Sequence, residues 1–241
     1  MPSCRVVPKS DALDLYAKVE DLLGVKEAAP ALYDHYVLFL NSVTFDSILD
    51  VGCGSGDFLL QVKHTFSPQE LLGIDLSPVM VEESIKKGIT AQTIDLCRLD
   101  DTFDIITAVF DMLNYLDEPQ LKRLLLCVEA HLKHGGDFLC DINTLYGFEE
   151  VAVGSFIVDD EDRFLTIDSD FEDGLYGSEF TLFEKETNGC YRKSQGIIEQ
   201  YYYAVEMIEA SLSEIKLVMV DDISLYGDRV DKNFLVFQKM G

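Results

Sequence analysis

The sequence predicts a doubly wound α/β domain interrupted by a small antiparallel β insertion, and three observations carry that prediction. Short continuous apolar runs alternate with helical patterns through the first 145 residues, as in a parallel sheet covered on both faces. A glycine-rich turn, "ILDVGCGSGDF" from Ile48 to Phe58, follows directly on the first such run. From Gly147 to Tyr203 the pattern changes to strand-like segments separated by Asp, Gly and Asn turns.

The elements follow in order. Residues 1–40 are expected to form an N-terminal helical cap and residues 41–146 the ligand-binding core. Within the core, "SILDV" leads to the helical "DFLLQVKHTF", and "LLGID" leads to "SPVMVEESIKK". "GITAQTID" and "FDIITAVF" come next, then the helical "EPQLKRLLLCVEAHLKH" and the run "GDFLCDIN". Ser77-Pro78 supplies a capping side chain and a first-turn proline, and Gly135-Gly136 is expected to close the helix ahead of it. Residues 147–203 are read as the insertion, with strands at "RFLTIDSDF", "SEFTLFEKE", "CYRKSQGI" and "IIEQYYYAV". Asn188-Gly189 suits a hairpin turn there. Residues 204–241 return to the core with a helix at "AVEMIEASLSEI" and two closing strands, "LVMVDDISLY" and "NFLVFQKM".

Composition narrows the function. The 241 residues contain 44 Asp plus Glu against 19 Lys plus Arg, a formal net charge of -25. Such a surface repels a phosphate backbone and an anionic membrane, so nucleic acid and membrane partners are disfavoured. The opening "MPSCRVVPKSDALDLY" lacks the apolar core of a signal peptide, and the expected location is cytoplasmic. The six cysteines are scattered without C-x-x-C pairs and read as reduced, mostly buried thiols. The four histidines form no metal spacing with them, and no metal site is expected.

In an open α/β sheet, ligands bind beyond the carboxyl ends of the strands, where the strand order reverses. Gly52, Gly54 and Gly56 stand at the first such end, with Asp50 ahead of them and Asp57 opening the next helix. The dinucleotide fingerprint G-x-G-x-x-G is not met, and an acid at position 57 ill suits a pyrophosphate. A ligand with a cationic, amino-acid-like portion suits Asp50 and Asp57 better. Asp75 ends the second strand, where a carboxylate accepts from ribose hydroxyls, and Asp95 ends the third, where one can accept from an exocyclic amine.

These motifs resemble class I S-adenosylmethionine-dependent methyltransferases over about residues 46 to 145. "ILDVGCGSGDF", "GIDLSPVMVEES", "AQTIDL" and "FDIITAVFDMLNYL" are similar to that family's first four motifs, and "CDINTLYGF" resembles a small-molecule branch with a β insertion after the fifth strand. The resemblance implies a mainly parallel, seven-stranded Rossmann-like sheet and direct methyl transfer to a small-molecule acceptor. It implies cofactor contact along Asp50, Gly52, Cys53, Gly54 and Gly56, ribose contact at Asp75 beside Leu76, and adenine contact at Asp95 and Leu96. S-adenosylhomocysteine would be the product. "LYAKVEDLL" takes the place of a helix lying over the cofactor, with Tyr16 as its closing side chain.

Candidates for acceptor chemistry follow the fourth and fifth strands. Asp111, with Asn114 and Tyr115, can orient an acceptor or hold the cofactor's methionine end, or simply cap and pack a turn. Asp141 and Asn143 are expected to point toward the same cleft, with a polar strand cap as the alternative. In the insertion, Glu199, Tyr201 and Tyr203 share one strand face, opposite Gln200 and Tyr202. Arg192, Glu199 and Tyr201 are therefore candidates for acceptor recognition, against a packing role for the aromatic face. Asp111, Asn143 and Tyr201 are the expected catalytic set. From Asp159 to Glu186 there are 11 acids against 2 bases, a surface that would draw a cationic acceptor. A tRNA methyltransferase and a catalytically silent S-adenosylmethionine-binding regulator are the competing readings. Neither the acceptor atom nor the oligomeric state is legible.

Overall fold

The computed structural model describes residues 15, 16 and 18–240; the part of the expected cap at residues 1–14 lies outside them. Helix α1 (Val25–Leu40) precedes an alternating series: β1 (Ser47–Val51), α2 (Asp57–Phe66), β2 (Glu70–Asp75), α3 (Pro78–Lys86), β3 (Ala91–Thr93), β4 (Phe103–Ala108), α4 (Glu118–His131) and β5 (Leu132–Asn143). Then come the strands β6 (Gly154–Asp160), β7 (Arg163–Glu172), β8 (Leu175–Lys185) and β9 (Tyr191–Tyr201). The short helix α5 (Val205–Ala210) leads to β10 (Ile215–Ile223) and β11 (Lys232–Lys239).

The main sheet has seven strands in the order β10-β11-β5-β4-β1-β2-β3. Strands β1 to β5 are parallel, and β11 runs antiparallel to both β5 and β10. Among the parallel strands β1 to β5, chain order runs outward in both directions from the boundary between β1 and β4, which creates the crevice where ligands bind in such sheets. All five side chains of β1 are buried, as in a central strand covered on both faces, including those of Ser47 and Asp50. On one face they pack with Leu32, Tyr36 and Leu40 of α1 and Phe58 and Val62 of α2. On the other they meet Leu121, Leu125 and Val128 of α4 and Ile208 of α5.

Helix starts follow the local chemistry. Ser77 accepts from the Met80 N–H at α3, and Asp117 with Gln120 forms a reciprocal capping box at α4. Two readings need correction. Helix α4 ends at His131, and Gly135-Gly136 lies inside β5, where the register against β4 slips between Phe103 and Ile105. A Cβ on Gly136 would sit 2.6 Å from the Asp104 carbonyl oxygen, so the glycine serves a close strand approach rather than a helix stop. Cys97 and Cys127 are joined in a disulfide rather than standing as free thiols. Thirty residues and two different elements separate them, so spacing gave no sign of the pairing.

The insertion is a four-stranded antiparallel meander, β6-β7-β8-β9. "CYRKSQGI" and "IIEQYYYAV" lie mostly in one strand, β9, and the fourth strand is Gly154–Asp160 instead. Its buried face, with Leu165, Ile167, Phe180, Leu182 and Ile198, packs on Leu15 and Val19 from the N-terminal segment.

The turn into β10 hangs on one carboxylate. Buried Glu129 accepts from the backbone N–H groups of Ser213, Glu214 and Ile215 and from the Ser213 hydroxyl. Burial alone would raise its carboxyl, but these hydrogen bonds outweigh it and hold it below the usual value. A depressed carboxyl adds stability above its unfolded value of about 4.3, and that stability is lost as pH falls through the folded value. Glu129→Gln should therefore cost about 1 to 3 kcal/mol at pH 7. In urea unfolding, the gap between variant and wild type should narrow once the pH falls below about 4.

Candidate functional site

A large cleft of about 1130 Å³ lies beyond the carboxyl ends of β1, β2, β4 and β5, with the insertion on its far side. Pockets for one small ligand are usually roughly 300 to 1,000 Å³, so this cleft has room for two reactants side by side.

The glycine turn forms its floor, and its three glycines serve different ends. All three take positive φ, between 51° and 79°. A Cβ on Gly52 would collide with the Met112 side chain, and one on Gly56 with Ser84 of α3. Only Gly54 faces open space, with nothing within 4 Å of its would-be Cβ. Its N–H donates to Asp75 Oδ2 (2.9 Å), and Asp75 Oδ1 accepts from the Ser77 N–H (2.8 Å). The ribose candidate is thus held at the lip of the bare backbone. Asp50 beneath is buried and accepts from Thr107 Oγ1 (2.7 Å). Burial, helped by the charges of Asp75 and Asp141, pushes its carboxyl up to about 7 despite the Thr107 hydrogen bond. Asp57 also lines the cleft, but Lys87 and Ser55 bind both of its oxygens, so its charge is already answered. Cys53 packs beside Leu59 and Ile89, and burial raises its thiol, as befits a small apolar side chain at the turn.

The fourth strand ends in an unusual turn. Phe110 and Asp111 have φ of 58° and 47°, left-handed values that side chains other than glycine adopt at a cost. Asp141, 0% exposed at the neighbouring strand, holds this turn: Oδ1 accepts from the Phe110 N–H (2.7 Å) and Oδ2 from the Asp111 N–H (2.8 Å). Tyr36 of α1 also donates to Asp141 (2.7 Å). Lys232, 2% exposed at the start of β11, reaches Asp141 (3.2 Å), Asn143 Oδ1 (2.8 Å) and Asp111 Oδ1. Burial would lower the lysine's pKa, but Asp111 and Asp141 outweigh it and raise it, so the ammonium is retained. Asp111 Oδ2 accepts from Gln200 of β9. A carboxylate held by an ammonium and an amide is thereby presented to the cleft.

The expected residues separate accordingly. Asp50, Gly52, Cys53, Gly54, Asp75, Asp111, Asn143 and Tyr16 line the cleft, whereas Gly56 does not and serves the close approach of the turn to α3. Tyr16 meets Phe180 edge-on, with ring centroids 6.0 Å apart. Asp141 is turned inward as a structural anchor. Tyr201 packs against the main core, while its carbonyl accepts from Asn114. The face of β9 toward the cleft carries Ile198 and Gln200, not Glu199 and Tyr201, because the strand's alternation is set by where it meets β8. Arg192 is exposed and pairs with Glu184. At the third strand end, Asp95 accepts from the Cys97 N–H (2.9 Å) and from Arg123 (2.8 Å), and Leu96 is buried in the core. Leu76 is 72% exposed, and none of these three side chains lines the cleft. Lys232, Gln200 and Tyr36 were missed. A lysine opening the apolar "KNFLVF" was the available signal, since lysine is seldom buried without partners.

Residues 48–136 match the family model described as methyltransferase domain. Over that stretch, a little over a third of the chain, it is similar to methyltransferase domains, and the strand order and the position of the cleft are those of a Rossmann-like α/β fold. The chain is 35% identical over 100 residues to a demethylmenaquinone methyltransferase from Bacteroides fragilis, a match over 37% of this chain and 40% of that protein. The chain thus spans about two fifths of the length of the curated relatives it matches. In fold it is similar to an S-adenosylmethionine-dependent methyltransferase from Clostridium acetobutylicum (TM-score 0.74, 24% identity, 95% of this chain and 98% of that one). It is also similar to a sugar N-methyltransferase from a Streptoalloteichus species (TM-score 0.74, 18% identity, 100% and 98%). Among the described residues no helix is long and apolar enough to cross a membrane.

Removing Lys232 would leave the buried Asp141 carboxylate and the half-buried Asp111 carboxylate without their shared ammonium. Lys232→Met should destabilise the protein by about 3 to 5 kcal/mol. Combined with Asp111→Asn it should cost less than the sum of the two single variants by about 1 to 3 kcal/mol, as read by a double-mutant cycle in urea.

Proposed function

We propose that the chain transfers a methyl group from S-adenosylmethionine to the nitrogen of a small-molecule amine. The observation that carries this reading is the convergence of Asp50, the open Gly54 backbone and Asp75 on one side of a two-reactant cleft whose other side presents Asp111. The donor set fits the cofactor: a carboxyl under the turn for an ammonium, bare backbone for a close approach, and a carboxylate at its lip for a diol. S-adenosylmethionine supplies a sulfonium-bound methyl group that an in-line nucleophile displaces directly. Asp50 would hold the cofactor's amino group and Asp75 its ribose, and Asp95 would serve the adenine through the loop it caps.

On the acceptor side, Asp111 draws and orients an amine, with Tyr115 and Tyr176 beside it. Lys232 and Gln200 hold the Asp111 carboxylate in place, which makes Asp111 a group that positions the amine. Proximity and alignment then carry most of the rate. Burial and the charge of Asp111 raise the Tyr115 phenol, so it stays neutral and can donate a hydrogen bond. The cationic preference is supported by the acids of the insertion and by the full-length likeness to a sugar N-methyltransferase.

The test is transfer of label from S-adenosylmethionine to a panel of primary amines, with phenols and carboxylic acids as comparison; label on phenols alone would overturn the amine reading. Asp75→Ala should weaken cofactor binding by about 1 to 3 kcal/mol, measured by calorimetry with S-adenosylhomocysteine. With Asp50 titrating at about 7, cofactor affinity should rise between pH 5.5 and 7.5 as this carboxyl ionises to meet an ammonium. Asp50→Asn should flatten that slope.

A further inference from the structure

The inner face of the insertion carries one polar group that the fold does not use. Ser178 of β8 is 2% exposed and lines the cleft, and among the described residues its hydroxyl has no hydrogen-bond partner. Its strand neighbours differ. Ser169, opposite it on β7, donates to the carbonyls of Ala152 and Gly154 (2.9 and 3.0 Å), and Tyr176 donates to Ala152 (3.3 Å). Buried hydroxyls in folded proteins nearly always find a partner, and an unpaired one is destabilising where an alanine would not be. A serine at this place is explained by a ligand that completes its bonding.

We infer that Ser178 Oγ is a specificity-determining contact for the acceptor, binding an oxygen function at the end of the molecule remote from the methylated nitrogen. This rests on the amine reading above and names the acceptor more closely. Ser178 pairs with Ile198, and Tyr176 pairs with Gln200, whose amide holds Asp111. Two residues along a strand span roughly 7 Å, which sets the scale between the two polar anchors. Ile198, paired with Ser178, and Phe180, paired with Ile167 two residues along β8, line the same cleft with apolar side chains. The acceptor is therefore a compact amine with an apolar-faced body and a hydroxyl, ether or carbonyl oxygen about one ring-width from the nitrogen. Ser178 can donate to any of these oxygens or accept from a hydroxyl.

The matched probes are trans-4-aminocyclohexanol and cyclohexylamine, which differ by the distal hydroxyl. Their binding is measured by calorimetry and ligand-detected NMR on protein saturated with S-adenosylhomocysteine. Wild type should bind the amino alcohol roughly 5- to 10-fold more tightly, the worth of one net hydrogen bond. Ser178→Ala should erase that preference by weakening the amino alcohol alone, and Ser178→Thr should keep part of it. Because the hydroxyl has no partner in the protein, Ser178→Ala should also melt at or above the wild-type temperature. Equal wild-type affinities, binding of neither amine, an equal loss for both in Ser178→Ala, or a lowered melting temperature would each overturn the inference. If the protein takes up no S-adenosylhomocysteine, the cofactor reading falls; the same amine comparison on the protein alone then decides the subsite independently.

Discussion

The side of the cleft proposed to hold the acceptor depends on the carboxylate of Asp141. It is fully buried, yet every lone-pair direction it offers is used: two backbone N–H groups from a left-handed turn, the phenol of Tyr36 and the ammonium of Lys232. Two consecutive left-handed residues that are not glycine are unfavourable alone, and they persist only where surrounding interactions over-determine them. Asp141 supplies that determination from β5, Tyr36 ties it to α1, and Lys232 ties it to β11. The turn in turn aims Asp111 at the cleft. Strands far apart in sequence are thus joined at one charged point, and that point sits where the main sheet meets the insertion.

Charge is handled differently on the two sides of the cleft. On the acceptor side, Asp111 and Asp141 share one buried lysine, so two carboxylates and an ammonium leave a single net negative charge beside aromatic surface. On the glycine-turn side, Asp50 has a hydroxyl and no cation, and burial raises its carboxyl to about 7. Such a group is poised to ionise when a cation arrives and costs the empty protein less than a fixed charge would. Asp57, the other acid of the motif, is already satisfied by Lys87. Of the 44 acids in the chain, few are therefore positioned to act on a ligand, and the net charge of -25 says more about excluded partners than about the site.

The insertion makes the cleft large enough for two reactants. It is a meander with one apolar face, and the N-terminal segment around Leu15 and Val19 covers much of that face. What remains toward the main sheet is a mixed surface of tyrosines, Phe180, Gln200 and Ser178. The match to the methyltransferase family model ends at residue 136, before this insertion begins. In the proposed transfer, acceptor choice would belong to a part of the chain that the shared core does not specify.

By itself the sequence determined the alternation of strands and helices, the glycine turn and the acids at successive strand ends. These are local patterns: apolar runs, caps and backbone conformations that neighbours in the chain dictate. It could not determine which face of β9 looks into the cleft, since alternation names two faces and only pairing with β8 chooses Gln200 over Tyr201. Nor could it join Cys97 to Cys127, or reveal that the acid expected in the cleft at position 141 is instead the anchor of the turn beside it. Those outcomes depend on partners brought together by strand order. The distances that make Lys232 a partner of Asp111 and Asp141 exist only once β11 has closed against β5, because a buried charge is defined by what surrounds it.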